Sequence, residues 1–404
     1  MNRKYIIDFI FKRFEPVKYV FRKSKIIFDD LIVEVPEIKK SKKKIVSILG
    51  YQVPIRRYRS DKDYVKLNSS RIILNIDIIG EIYDYLTLNI ENENRSIVTQ
   101  PFVDLLIYYF YSLIKDKTGI HFRKFKNIND FVVCVTHDVD RIGDAKQFHL
   151  FKNFIKGIRT KNIRLLKNVF SNKNNIFQVE NILKIEKKYG VEESTWFLLS
   201  HTKKFLGFIL PTYGDYNLDD VFCKKMLNLL KNKEIGLHIP FVKLTTKEIK
   251  NEKQMLTKIY PIKGARAHYL RGNYPNLLIE LDKAGFLYDS TFGSNNKISF
   301  RFGTSFPFHP IINGNKTLDI FEVPLNIMDG HVSSFKVFKH YIKRLYSILK
   351  ITRGVLVINW HQSRFNVIEY GDLYEKCFRF LLSEGKDKRG WLTSIKNLIN
   401  EVEK

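Results

Sequence analysis

Residues 131–144 read FVVCVTHDVDRIGD. Phe131–Val135 is a continuous apolar run, the pattern of a central parallel strand covered on both faces. It ends abruptly in Thr136, His137, Asp138 and Asp140. Two carboxylates and an imidazole at a strand end cost too much desolvation to be there for packing alone. In α/β architectures the carboxyl ends of strands carry the chemistry. The rest of the chain is therefore read outward from this edge.

Downstream the pattern repeats as strand, polar strand end, helix. A strand at Ser194–Leu199 ends in Ser200 and His201, and a helix over Asp219–Lys233 places Phe222, Met226, Leu229 and Leu230 on one face. A short strand, Glu234–Leu237, ends in His238. After a polar helix, Gly264–Tyr269 places Arg266 and His268 at a strand edge. Phe286–Thr291 is a strand carrying Asp289, followed by an aromatic loop over 292–309. Another strand spans Ile320–Ile327, with Asp329 just beyond it. A helix at Phe335–Leu349 leads to the apolar strand Gly354–Asn359, then Trp360 and His361, and two helices close the chain. About seven β/α units over roughly 275 residues predict an α/β fold, a (β/α)7-type distorted TIM-like barrel. An open doubly wound sheet fits less well, because no glycine-rich phosphate loop follows the first strand.

Residues 1–127 read differently, as an N-terminal α+β domain, with the barrel over 128–404. Met1–Phe14 has the pattern of a short amphipathic helix, Lys18–Pro36 is strand-rich, and KKSKKK at 39–44 reads as a solvated turn. Strands follow at Ile45–Gly50 and Arg71–Ile79, and Pro101–Lys115 has helical spacing. No catalytic constellation appears in this part. With 404 residues, 44% of them hydrophobic, the chain has enough apolar material for more than one typical domain.

The net charge of +27 reads chiefly as a lysine-rich solvated surface; the functional reading is a basic face toward anionic lipid, glycan or nucleic acid. The basic residues are diffuse and form no nucleic-acid-binding motif, so no nucleic-acid partner is expected. Cys134, Cys223 and Cys377 are far apart and form no CxxC, which argues for reduced thiols and against a cysteine zinc site. The basic, apolar N-terminus is interrupted by Asp8, Lys12, Arg13 and Glu15, so it does not read as a signal peptide. A cytoplasmic location is expected, with peripheral membrane association through the first helix left open.

Closure into a barrel brings Asp138, Asp140, His201, His238, His268, Asp289 and His361 to one face. At this point the chain resembles the polysaccharide deacetylase (NodB-homology) family of carbohydrate esterases, in a divergent branch with an extra N-terminal domain. The resemblance spans about residues 130–365 and rests on five motifs in order: THDVD at 136–140, GLHIPF at 236–241, RAHY at 266–269, Tyr-Asp-Ser at 288–290 and INWHQ at 358–362.

The resemblance implies Asp138 as general base, Arg266 as the arginine orienting it, His361 as general acid, and Asp140 and His238 as metal ligands. The family's second metal histidine is replaced by Val242, which cannot bind a metal. His268, where the family commonly has proline, is the candidate third ligand, with His201 as second choice. Tyr269, Asp289 and Trp360 are candidate substrate contacts. The implied cofactor is a divalent metal, zinc first, with Co, Ni or Fe compatible with the same ligands. The implied reaction is hydrolysis of the N-acetyl group of an amino sugar in a polysaccharide or its precursor. The alternative is a barrel that has lost catalysis and serves as a glycan-binding or assembly module, a reading motivated by Val242.

Overall fold

The computed structural model describes residues 1–59, 63–90, 98–126, 128–140, 142, 158–159, 176–201, 204–205, 208–209, 216–240, 245–313, 316–365 and 371–404. The strands of its largest sheet are β1 (Phe131–Val139), β2 (Thr195–Leu198), β3 (Glu234–Ile239), β4 (Gly264–Ala267), β5 (Tyr288–Asp289), β6 (Phe321–Glu322), β7 (Ile327–Met328), β8 (Val355–Asn359) and β9 (Gly390–Thr393). They run in the order β6-β5-β4-β3-β2-β1-β8-β7, and all of these pairings are parallel.

The outermost strands, β6 and β7, are consecutive in the chain. One extended segment, Phe321–Met328, therefore pairs with both edges of the sheet. Val323 N–H donates to Asp289 O at 2.9 Å and Asn326 N–H to Val357 O at 3.1 Å. This closes the sheet into a distorted seven-membered barrel and splits the single strand expected at Ile320–Ile327 into two short pieces. A ninth strand, β9, is an addition to the sequence reading. It pairs with Phe131–Cys134, on the β1 edge that β2 occupies further along.

Helices cover the outer wall, so every residue of β1 and β3 is buried. The helix expected at Asp219–Lys233 spans Val221–Leu229 and buries Cys223, Met226 and Leu227, while Phe222 faces solvent. Its buried stripe is thus rotated from the one expected. Gly264 admits no side chain, since a Cβ there would lie 1.8 Å from the Tyr288 ring of the neighbouring strand.

In the N-terminal part, the helix Arg3–Phe11 leads into a five-stranded sheet, a hairpin (Lys44–Ile48 with Tyr51–Ile55) and the helices Ile78–Leu86 and Phe102–Thr118. The strand expected through Ile79 stops at Leu74, because the Asp77 side chain accepts from Gly80 N–H at 2.9 Å and caps a helix there. The first helix buries Ile6, Ile7, Phe9, Ile10 and Phe11. Its apolar face is used in packing within the molecule.

The two parts share one hydrophobic core. Buried Arg13 donates to Asp104 Oδ1 at 3.0 Å and to Thr352 O at 2.6 Å, and Asp104 accepts from Thr304 Oγ1 at 2.8 Å. Among the described residues, no helix is long and apolar enough to cross a membrane.

Candidate active site

Register places the chemistry at one level of the barrel. His238 on β3 lies opposite Arg266 on β4, and Asn359 on β8 lies opposite Thr136 on β1. Asp138 is close to the carboxyl end of β1, and Asp140, His268, Asp329 and His361 follow the ends of β1, β4, β7 and β8.

Asp138 is held by two donors. Arg266 Nη1 donates to Oδ1 at 2.9 Å and Asn359 Nδ2 to Oδ2 at 2.7 Å. Arg266 is itself fixed by Ser290, whose backbone oxygen accepts from Nε at 2.9 Å and whose Oγ accepts from Nη2 at 3.0 Å. Its guanidinium also packs 4.2 Å from the Phe197 ring centroid. Burial pushes the Asp138 carboxyl up, but the charge of Arg266 foremost, with that of His361, outweighs it and holds the group below its ordinary value. Asp138 is therefore a buried, oriented anion at neutral pH.

Asp140, His238 and His268 converge. Asp140 Oδ1 lies 3.3 Å from His238 Nε2 and 3.4 Å from His268 Nε2, and the three donor atoms lie within 4.8 Å of one another. His238 Nδ1 donates to Arg266 O at 3.0 Å, so Nε2 presents a lone pair. That nitrogen and Asp140 Oδ1 are both buried without a hydrogen-bond partner. Two lone pairs facing each other at such a site repel unless a proton or a metal cation lies between them. Tetrahedral ligands at about 2.0–2.2 Å from a zinc ion stand about 3.3–3.6 Å apart, which matches both separations. The residues present thus fit a divalent metal, with His268 in the third place. His201 is outside the group, occupied with Ser200 Oγ at 2.9 Å and Glu252 at 3.3 Å. Val242 lies outside the described residues.

His361 Nδ1 donates to Asp329 Oδ2 at 2.8 Å, and the same oxygen accepts the His361 backbone N–H at 2.7 Å. Its Nε2 lies 3.9 Å from both Asp138 Oδ2 and Asp140 Oδ2. Burial works to lower the imidazole, but Asp329 foremost, then Asp140 and Asp138, raise it to about 10. A buried carboxylate and an imidazolium thus face each other beside the metal group. Asp329 is the acidic partner of His361. Asn359 was quoted within INWHQ without a role. The one signal for each was a polar residue at the end of an apolar strand.

Two expected substrate contacts are corrected. Trp360 is fully buried and its indole N–H donates to Tyr374 O at 3.1 Å, so it is core and offers no face to a sugar. Asp289 is also fully buried, accepting from Thr291 Oγ1 at 2.6 Å and Thr291 N–H at 3.0 Å. Thr291 Oγ1 in turn accepts from Ala267 N–H at 2.9 Å, so Asp289 orders the backbone just before His268. Burial raises Asp289 to about 6, and beside it burial and Asp289 itself push Glu322 well above the usual range. Tyr269 stacks on His268, with ring centroids 4.1 Å apart, and is half exposed.

No family model and no curated protein matches this chain. Among solved structures, a protein described as a polysaccharide deacetylase from Mycobacterium smegmatis matches with a TM-score of 0.45 and 15% identity, over 70% of this chain and 93% of its own. The allantoinase PuuE matches with a TM-score of 0.44 and 12% identity, over 68% and 90%. A protein from Bordetella bronchiseptica, described as a polysaccharide deacetylase involved in O-antigen biosynthesis, matches with a TM-score of 0.32 and 13% identity, over 69% and 91%. The fold stands on the strand order above and the site on its own geometry. In overall structure the chain is similar to polysaccharide deacetylases and to an allantoinase.

Proposed function

We propose that the protein is a metal-dependent hydrolase that removes the N-acetyl group of an amino sugar in a polysaccharide or its precursor. The observation that carries this reading is the pairing of Asp138, gripped by Arg266 and Asn359, with His361, charged by Asp329, across the mouth of the Asp140–His238–His268 group. The order of the five motifs supports the amide of an acetylated sugar as substrate. With His268 beside Asp140 and His238, Val242 no longer argues for a barrel that has lost catalysis.

A divalent ion held by Asp140, His238 and His268, zinc first by donor type, supplies polarisation of a carbonyl and acidification of water. Asp138 takes the proton of the attacking water. Arg266 and Asn359 keep its two oxygens in place while it does so, leaving little reorganisation for the reaction to supply. As the C–N bond breaks, His361 gives its Nε2 proton to the leaving amine. Asp329 holds the imidazolium in orientation through Nδ1.

The test is purification with metal analysis and an acetate-release assay on N-acetylglucosamine oligomers. One bound metal per chain and acetate release are expected. Asp138→Asn and His361→Ala are each expected to lower turnover by about 10²–10⁴, and His268→Ala to lower metal content. Unchanged turnover in the first two variants overturns the hydrolytic reading. Glycan binding without metal or acetate release establishes the binding-module alternative.

A further inference from the structure

Two basic stretches far apart in sequence meet on the surface. The first is KKSKKK at 39–44, five lysines in six residues, all exposed, which runs into the hairpin Lys44–Ile48/Tyr51–Ile55. Leu49 and Gly50 turn the hairpin with φ of 53° and 78°, and Leu49 and Ile45 stand 43% and 48% exposed. The second is the helix Phe335–Thr352, which contains no acidic residue. It turns Lys336, Lys339, His340, Lys343 and Arg344 to solvent and leaves Val337 63% exposed. The stretches meet where the Arg344 guanidinium lies 5.9 Å from the Tyr51 ring centroid. Lys40 pairs with Asp84 at 3.6 Å. Lys39, Lys42, Lys43, Lys336 and Lys343 have no acidic partner among the described residues.

Exposed lysines are ordinary in a chain of this charge. The combination is not: cations from two elements, most of them without an acidic partner among the described residues, beside aliphatic side chains left in water. We propose that this face binds an anionic lipid bilayer, with Ile45, Leu49 and Val337 entering the headgroup region and the lysines pairing with lipid charge. The aliphatic tips favour lipid over nucleic acid. The nearby rings that could stack on bases are already engaged by cations, Tyr51 by Arg344 at 5.9 Å and Tyr58 and Tyr64 by Lys44 at 5.7 and 5.1 Å. The helix starts just after Asp329–His331, at the catalytic end of the barrel. A bilayer lying along it brings the mouth of the site beside the headgroups. The proposal stands independently of the hydrolytic reading.

The test is sedimentation of the full chain with vesicles of phosphatidylcholine alone or with phosphatidylglycerol added. Binding to the second kind only, released by high salt, is expected. A lysine at an anionic surface contributes about fivefold in affinity. Lys42→Glu with Lys43→Glu is therefore expected to weaken binding by about 25-fold or more. Leu49→Ser with Val337→Ser is expected to weaken it severalfold at unchanged charge. Lys247→Glu with Lys250→Glu, on an exposed helix elsewhere, is expected to bind as the parent does. Equal binding to both vesicles, an equal loss in the Lys247/Lys250 pair, or tighter binding to a single-stranded oligonucleotide than to vesicles overturns the proposal.

Discussion

The charge on His361 is the most readable single property of the site. Its imidazole ordinarily titrates near 6.5, and Asp329, Asp140 and Asp138 carry it to about 10 against the opposing pull of burial. The sign follows from linkage. The raised value adds stability that is complete below the ordinary imidazole range and is lost as pH climbs through about 10. Replacing Asp329 by Asn removes the nearest charge while keeping the shape. The alkaline limb of kcat/KM is then expected to fall by about 1–3 pH units, as a pH–rate profile will show. An unmoved limb assigns it to another group. At this scale the sequence was informative about Asp138, Asp140, His238, Arg266 and His361, because strand ends announce themselves through abrupt polarity. It was silent on Asp329 and Asn359, whose roles exist only across strands. It misjudged Trp360 and Asp289, since a one-dimensional pattern does not say on which side of the barrel wall a strand-end side chain lies.

Among elements, the junction of β1 and β8 is held by a buried network. His137 Nδ1 donates to Trp360 O at 2.7 Å, and its Nε2 meets Glu186 Oε1 at 3.0 Å. Glu186 Oε2 accepts from Ser194 Oγ at 2.9 Å and Lys233 Nζ at 2.8 Å. The peptide unit joining Trp360 to His361 is therefore gripped at both ends, its carbonyl by His137 and its N–H by Asp329. His137 also packs against Trp196 and Phe378, so packing and hydrogen bonding make opposite forecasts. If the donor matters, His137→Asn retains more turnover than His137→Phe; if the ring matters, the order reverses. We expect Asn to exceed Phe by about tenfold, the worth of one net hydrogen bond at about 1.4 kcal/mol, with thermal melts following alongside kinetics. Long apolar strands and helices of regular spacing were legible from sequence. The strands at Tyr288–Asp289, Phe321–Glu322 and Ile327–Met328 were read as longer pieces, and the end strand at Gly390–Thr393 was not read at all, because so few residues carry no periodicity.

For the whole molecule, the sequence suggested two domains divided at residue 127, and the structure joins them through a shared core and the buried Arg13–Asp104 pair. Removing one member of a buried ion pair leaves the other uncompensated. Asp104→Ala is thus expected to cost about 3–5 kcal/mol by denaturant unfolding, and residues 128–404 alone are expected to be insoluble. A well-folded fragment that keeps the parent's melting temperature sinks this expectation. The segment Phe321–Met328 has a consequence of its own. Asp329 directly follows the end of that segment, so the seam of the barrel and the proton supply of His361 are secured by one stretch of chain. The metal group is carried on β1, β3 and β4, on the far arc. Mild denaturant that unzips the seam is expected to extinguish turnover while the ion stays bound, and release of metal ahead of activity would place the weak point elsewhere.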